Sequence, residues 1–142
     1  MRQWLVVVAC ILTAGAFACA GCARTYQDPA SGAEARYEWE TLRAEMDAPI
    51  STVYYAAKDA AEELDLDLLR CDVDGIAGEI IGLDANRDNV DIHLEALPES
   101  RSLLAIRIGV FGSVNKSEVL FSRIGEELSG QENAISRDYY DP

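Results

Sequence analysis

Histidine occurs once in this 142-residue sequence, at His93, and basic residues are scarce, with 12 Lys and Arg against 25 Asp and Glu. The first shortage removes most imidazole chemistry. A hydrolytic triad needs a nucleophile positioned beside the histidine, and the chain has no Gly-x-Ser-x-Gly elbow to supply one. The second shortage argues against nucleic acid as a partner, because a formal charge of −13 repels phosphate backbones and anionic lipid headgroups alike. The acids are spread along the chain and read as a solvated face. Long apolar runs are missing too. The block from Trp4 to Ala18 has 15 residues, where a helix needs ~20 to cross a bilayer.

What is present begins with that block. Arg2, the short apolar run and the small residues Ala20 and Gly21 before Cys22 describe an export signal over residues 1–21, not a membrane span. The stretch Phe17-Ala18-Cys19-Ala20-Gly21-Cys22 resembles the lipobox of bacterial lipoproteins, with Cys19 where Leu is usual. The resemblance implies cleavage before Cys22 and acylation of both its sulfur and the new amino end. Several acyl chains anchor stably where one is marginal. Ala23 follows, and the sorting rule of enterobacterial lipoproteins then favours the outer membrane, with the protein facing the periplasm. Two other readings stay open. Ala16-Phe17-Ala18 is also an A-x-A cleavage signal, which would release a soluble protein starting at Cys19. Its Cys19-Ala20-Gly21-Cys22 would then be a C-x-x-C redox or metal pattern. A redox pair of that kind sits where a strand meets a helix, and a zinc site would need two more ligands from Cys71 and His93.

Beyond Cys22, residues 22–35 have no apolar period and read as a tether between membrane and domain. One α+β domain is expected over residues 36–130. Tyr37, Trp39 and Thr41, then Leu42, Ala44 and Met46, alternate as a strand with a change of face near Thr41. Ile50, Val53, Ala57, Ala60 and Leu64 form a helical stripe, with Ser51 as its cap. Leu66–Val73 and Ile76–Leu83 read as strands joined by the turn Asp74-Gly75. Val90, Ile92 and Leu94 alternate cleanly with Asp91, His93 and Glu95 in the next strand. Ser102–Phe111 is apolar on both faces and reads as a central strand, interrupted by Arg107. Ser117, Leu120, Ile124 and Leu128 mark a second helix, stopped by Gly130, and residues 131–142 are a polar tail. The order β-α-β-β-β-β-α with hairpin-length links predicts a two-layer domain, a mostly antiparallel sheet with both helices on one face.

Few residues offer chemistry. Asp84, Asn86, Asp88 and Glu95 occupy positions 1, 3, 5 and 12 of an EF-hand-like register. The Val90–Leu94 alternation, however, puts a strand where an exiting helix is required, so a solvated hairpin turn is expected and no bound metal or cofactor. Arg107 is expected to pair with an acid such as Asp91 or Glu95 on the neighbouring strand, or else to receive an anionic ligand. His93 reads as a surface residue and Cys71 as a small buried apolar one.

Ile106-Arg107-Ile108-Gly109-Val110-Phe111-Gly112, with Ser117 and Ile124 following, resembles a family of small bacterial lipoproteins of unknown function, domain-of-unknown-function family 3568. The similarity covers roughly residues 42–128 and includes the helix from Val53 to Leu64, Asp74, Gly78 and Val90-Asp91-Ile92. Ser113 stands where the family pattern has Asp. The resemblance implies fold and anchoring but no catalytic residues. The expected protein is therefore a lipid-anchored envelope module that binds a protein partner and is not an enzyme. The alternative is a carrier of a small molecule, anion or metal in the pocket between sheet and helices.

Overall fold

The structure is a computed structural model; it describes residues 24–138, with side chains to residue 131. The described residues form seven strands and two helices: β1 (Arg24–Gln27), β2 (Glu34–Glu38), β3 (Thr41–Met46), α1 (Ile50–Glu63), β4 (Asp67–Val73), β5 (Ala77–Leu83), β6 (Asn89–Leu97), β7 (Arg101–Ile108) and α2 (Val114–Asp138). They make a single sheet in the order β1-β2-β3-β7-β6-β5-β4, antiparallel throughout. The α+β class and the β-α-β-β-β-β-α order are those expected, preceded by two further strands.

Period-2 patterning explains why the strands lie as they do. Leu42, Ala44 and Met46 on β3, Val90, Ile92 and Leu94 on β6, and Ser102, Leu104, Ile106 and Ile108 on β7 are all buried on one face. Against that face α1 presents Ile50, Val53, Ala56, Ala57, Ala60 and Ala61, and α2 presents Leu120, Phe121 and Ile124. Four buried alanines leave no side-chain bulk between α1 and the sheet, so the helix lies close. Gly78 on β5 makes the matching concession, since a Cβ there would stand 3.3 Å from the Tyr54 ring. Among the described residues no helix covers the opposite face of the sheet. Arg43, Arg107, His93, Glu95 and Arg70 are exposed on it.

Four expectations are corrected. Residues 22–35 are not a tether from Arg24 onward, because Arg24–Gln27 and Glu34–Glu38 form a hairpin that extends the sheet. Tyr26 meets Phe121 edge-on at 6.0 Å, and Ala35 is buried. The Pro/Gly-containing stretch is the turn of that hairpin. Asp28 is buried in it, and its Oδ2 accepts the Ser31 N–H at 2.7 Å and the Ser31 hydroxyl at 2.6 Å. Second, the change of face near Thr41 is a true reversal. Trp39 and Glu40, with φ of 48° and 64°, form a two-residue loop between β2 and β3. Third, residues 131–138 continue α2 instead of starting a polar tail. Gly130 does not stop the helix because it lacks the left-handed conformation that a terminating glycine adopts. Fourth, Pro49 and not Ser51 occupies the N-cap position of α1, and no side-chain hydrogen bond closes that end. Residues 1–21, read above as an export signal and including Cys19, as well as Cys22 and residues 139–142, lie outside the described residues.

Candidate functional site

Asp84, Asn86 and Asp88 sit in the loop from β5 to β6, and hydrogen bonding within the loop decides their role. Asp84 Oδ1 accepts the N–H groups of Asn86 at 2.8 Å and of Asp88 at 3.0 Å, an Asx-type turn. The remaining oxygens face a cation that belongs to the protein. Lys116 Nζ, in the first turn of α2, donates to Asp84 Oδ2 at 2.5 Å and to Asp88 Oδ2 at 2.8 Å. The ammonium therefore stands where a calcium-binding loop would place its ion. Its hydrogen bond holds the Asp84 carboxyl below the usual carboxylate range against the opposing effect of burial, and the same two bonds raise the Lys116 ammonium. Glu95, the twelfth residue of the EF-hand register, is carried along β6 to the register position opposite Ala77, away from the loop. Among the described residues no group of His, Cys, Asp and Glu is arranged to hold a metal ion.

Beside this loop lies an apolar pocket of about 330 Å³, lined by Leu64 and Leu66 after α1, Val90, Ile108, and Val119 and Leu120 of α2, with Asp84 and Lys116 at its edge. The pocket falls within the size range of small-ligand sites. Its only cationic group is already engaged by two carboxylates.

Arg107 is placed differently from expectation. It is in register with Asp91 across β6 and β7, yet its guanidinium turns along its own strand. It donates to the Val110 carbonyl at 2.7 Å and to Glu40 Oε2 at 3.4 Å. Neither Asp91 nor Glu95 is its partner. Arg107 instead ties the β2–β3 turn to the connection that follows β7, where Gly112 has φ of 67° and lies against Tyr37 and Glu40. His93 is on the open face, with Nδ1 3.7 Å from Glu79 Oε1, and Glu79 also takes Arg70 at 3.2 Å. The structure brings no nucleophile to it through any hydrogen bond or ion pair. Cys71 is half-buried on β4 against the edge of the core.

Lys116 and Glu40 are the partners that sequence reasoning missed. Lys116 lies 32 residues from Asp84 and Glu40 lies 67 from Arg107, separations at which no local pattern links residues.

The class defined by this arrangement is a two-layer α+β domain with an antiparallel sheet covered by helices on one face and open on the other. The family follows from direct comparison: the model described as "Protein of unknown function (DUF3568)" matches residues 5–127, and the chain belongs to that family. No curated protein matches the sequence.

Proposed function

We propose that this protein is a lipid-anchored module of the bacterial cell envelope, held through acylated Cys22, facing the periplasm from the outer membrane and binding an envelope protein without catalysis. The observation that carries the reading is the sequence Ala20-Gly21-Cys22 closing a short apolar segment, followed directly by a folded domain. Support for binding comes from the open face of the sheet. Its charges pair across strands, as in Arg101 with Glu45 at 3.0 Å and Arg70 with Glu79 at 3.2 Å. Such exposed pairs contribute little to folding and are available for exchange with a partner. The intact mass of protein purified from membranes tests the anchor. It should match a chain starting at Cys22 plus acyl groups, which a Cys22→Ala variant loses; an unmodified chain starting at Cys19 sinks the reading. Crosslinking in membranes tests the partner, and repeated failure to capture an envelope protein counts against binding.

A second reading is favoured by the pocket beside Lys116, which suits a small apolar molecule. Calcium and anions are poor candidates there, since Asp84, Asp88 and Lys116 satisfy one another. Thermal shift with a panel of apolar compounds separates the two readings: a shift supports a carrier, and none removes it.

A further inference from the structure

The pairing registers bring several connections to one end of the sheet. Arg24, the first described residue, is opposite Tyr37, and Glu38 is opposite Thr41 across the Trp39-Glu40 turn. Leu42, just beyond that turn, is opposite Ile106, and β7 ends two residues later. The start of β1, the β2–β3 turn and the β7–α2 connection thus share one end, together with the β5–β6 loop. They also touch. Arg107 bridges Glu40 and the Val110 carbonyl, and a Cβ on Gly112 would stand 2.3 Å from the Glu40 oxygen.

Three of the four most exposed large apolar side chains among the described residues stand here: Trp39 at 95%, Phe111 at 83% and Val110 at 72%. Folding gains nothing from them. Trp39 even opposes local preference, because a two-residue turn with both φ values positive favours Asn or Gly. An ordinary residue in that conformation costs about 1–2 kcal/mol. Ion pairs offset part of the charge at this end, Arg107 with Glu40, Lys116 with Asp84 and Asp88, and Arg24 with Glu118 at 3.3 Å. Each of these pairs places a basic group beside the acids under the apolar tips, and a zwitterionic surface adds no charge to repel the acids left over.

We propose that this end of the sheet is a membrane-seating surface, with Trp39, Val110 and Phe111 entering the headgroup–acyl boundary of a zwitterionic phospholipid bilayer. The inference rests on the lipid anchor at Cys22 proposed above. Cys22 precedes Arg24 by two residues, at most about 7 Å of extended chain, so acylation holds this end against the bilayer. Tryptophan and phenylalanine are suited to that boundary, where an amphipathic ring meets headgroups and chain ends together. The strands then stand upright on the membrane, and the open face of the sheet points sideways into the periplasm.

The sequence contains two tryptophans, Trp4 and Trp39. Cleavage before Cys22 removes the first and leaves Trp39 as a reporter of the seating surface. The test uses acylated protein purified from membranes, its mass verified, in vesicles of phosphatidylcholine and phosphatidylethanolamine, with flotation as the measure of anchoring. Brominating the acyl chains near the glycerol should cut Trp39 emission about twofold, as for a ring seated ~5–10 Å into the boundary. Aqueous iodide should quench it weakly, and Phe111→Ser with Val110→Ser should reverse both effects while flotation persists. Flotation with full iodide quenching and no bromine effect overturns the seating and leaves the anchor standing. Protection from iodide without bromine quenching means that a second copy covers Trp39, which also overturns it. An unmodified mass without flotation removes anchor and seating together.

Discussion

The two ends of the sheet differ in what their loops project: of the four most exposed large apolar side chains among the described residues, one end carries Trp39, Phe111 and Val110 and the other Ile76. At the end away from Trp39, polar side chains answer backbone groups. Asp28 turns the β1–β2 loop through Ser31, Asp74 Oδ1 accepts the N–H groups of Ile76 and Ala77 at 2.8 and 2.7 Å, and Ser129 on α2 reaches the Ala30 carbonyl at 3.2 Å. The bonds to Asp74 hold its carboxyl below the usual range. These loops are closed upon themselves. At the Trp39 end the Asp84 turn is closed in the same way, but ion pairs sit beneath the loops and three loop-tip side chains are apolar and exposed. This difference is the ground for the seating proposed above, since the apolar tips cluster at the end from which the chain leads back to Cys22.

The largest effect on this contrast should come from Gly112→Ala. The new methyl collides with the Glu40 backbone in a left-handed position, and overpacking plus strain should cost about 3 kcal/mol in urea unfolding. At the opposite end Gly125→Ala places a Cβ against the Asp28 carboxylate, and about 2 kcal/mol should be lost by the same measurement. If Gly125→Ala is neutral, the Asp28 carboxylate does not pack against α2 at Gly125.

Lys116→Met should act more mildly and with a pH signature. The depressed Asp84 carboxyl contributes stability that is present above its unfolded pKa and lost as pH falls through its lower folded value. The raised Lys116 ammonium contributes stability that is present below its unfolded pKa and lost as pH rises through its higher folded value. The melting-temperature gap between parent and variant should therefore be widest near neutrality and close in strong acid and strong alkali. A gap that is constant across pH would show lost packing instead of a lost ion pair. The smallest effect is expected from Trp39→Asn, which relieves a left-handed tryptophan and should gain up to about 1 kcal/mol in solution. The same change should weaken bilayer seating. Stability lost at this position would mean that the ring packs within the fold.

The core was readable in the sequence because period-2 and helical patterns are local. Val90-Ile92-Leu94 and the alanine stripe of α1 each declare their buried face within ten residues, while β7, apolar on both faces in sequence, showed its central place but not that one face is open. The β1–β2 hairpin was not readable. Tyr26, Ala35 and Tyr37 mark its inner face, too few for a pattern, and its turn residues Pro29 to Gly32 have the composition of a linker. The Trp39-Glu40 turn hid for the opposite reason, since neither residue is a turn former, and a strand pattern ran across it. For the candidate site, Asp84 and Arg107 stood out as lone features, but their partners depended on how distant strands and helices meet.

The sheet's order has a consequence for how the chain is made. β1–β3 and β4–β7 are each joined through neighbours in sequence, and a single ladder between β3 and β7 unites them. Synthesis delivers β3 some sixty residues before its partner, since Leu42 waits for Ile106. Until then one edge of β3 has an open row of backbone donors and acceptors beside Leu42, Ala44 and Met46, ready to pair with any strand that comes near. The nascent chain is most exposed to misassembly in that interval, and the arrival of β7 closes the sheet.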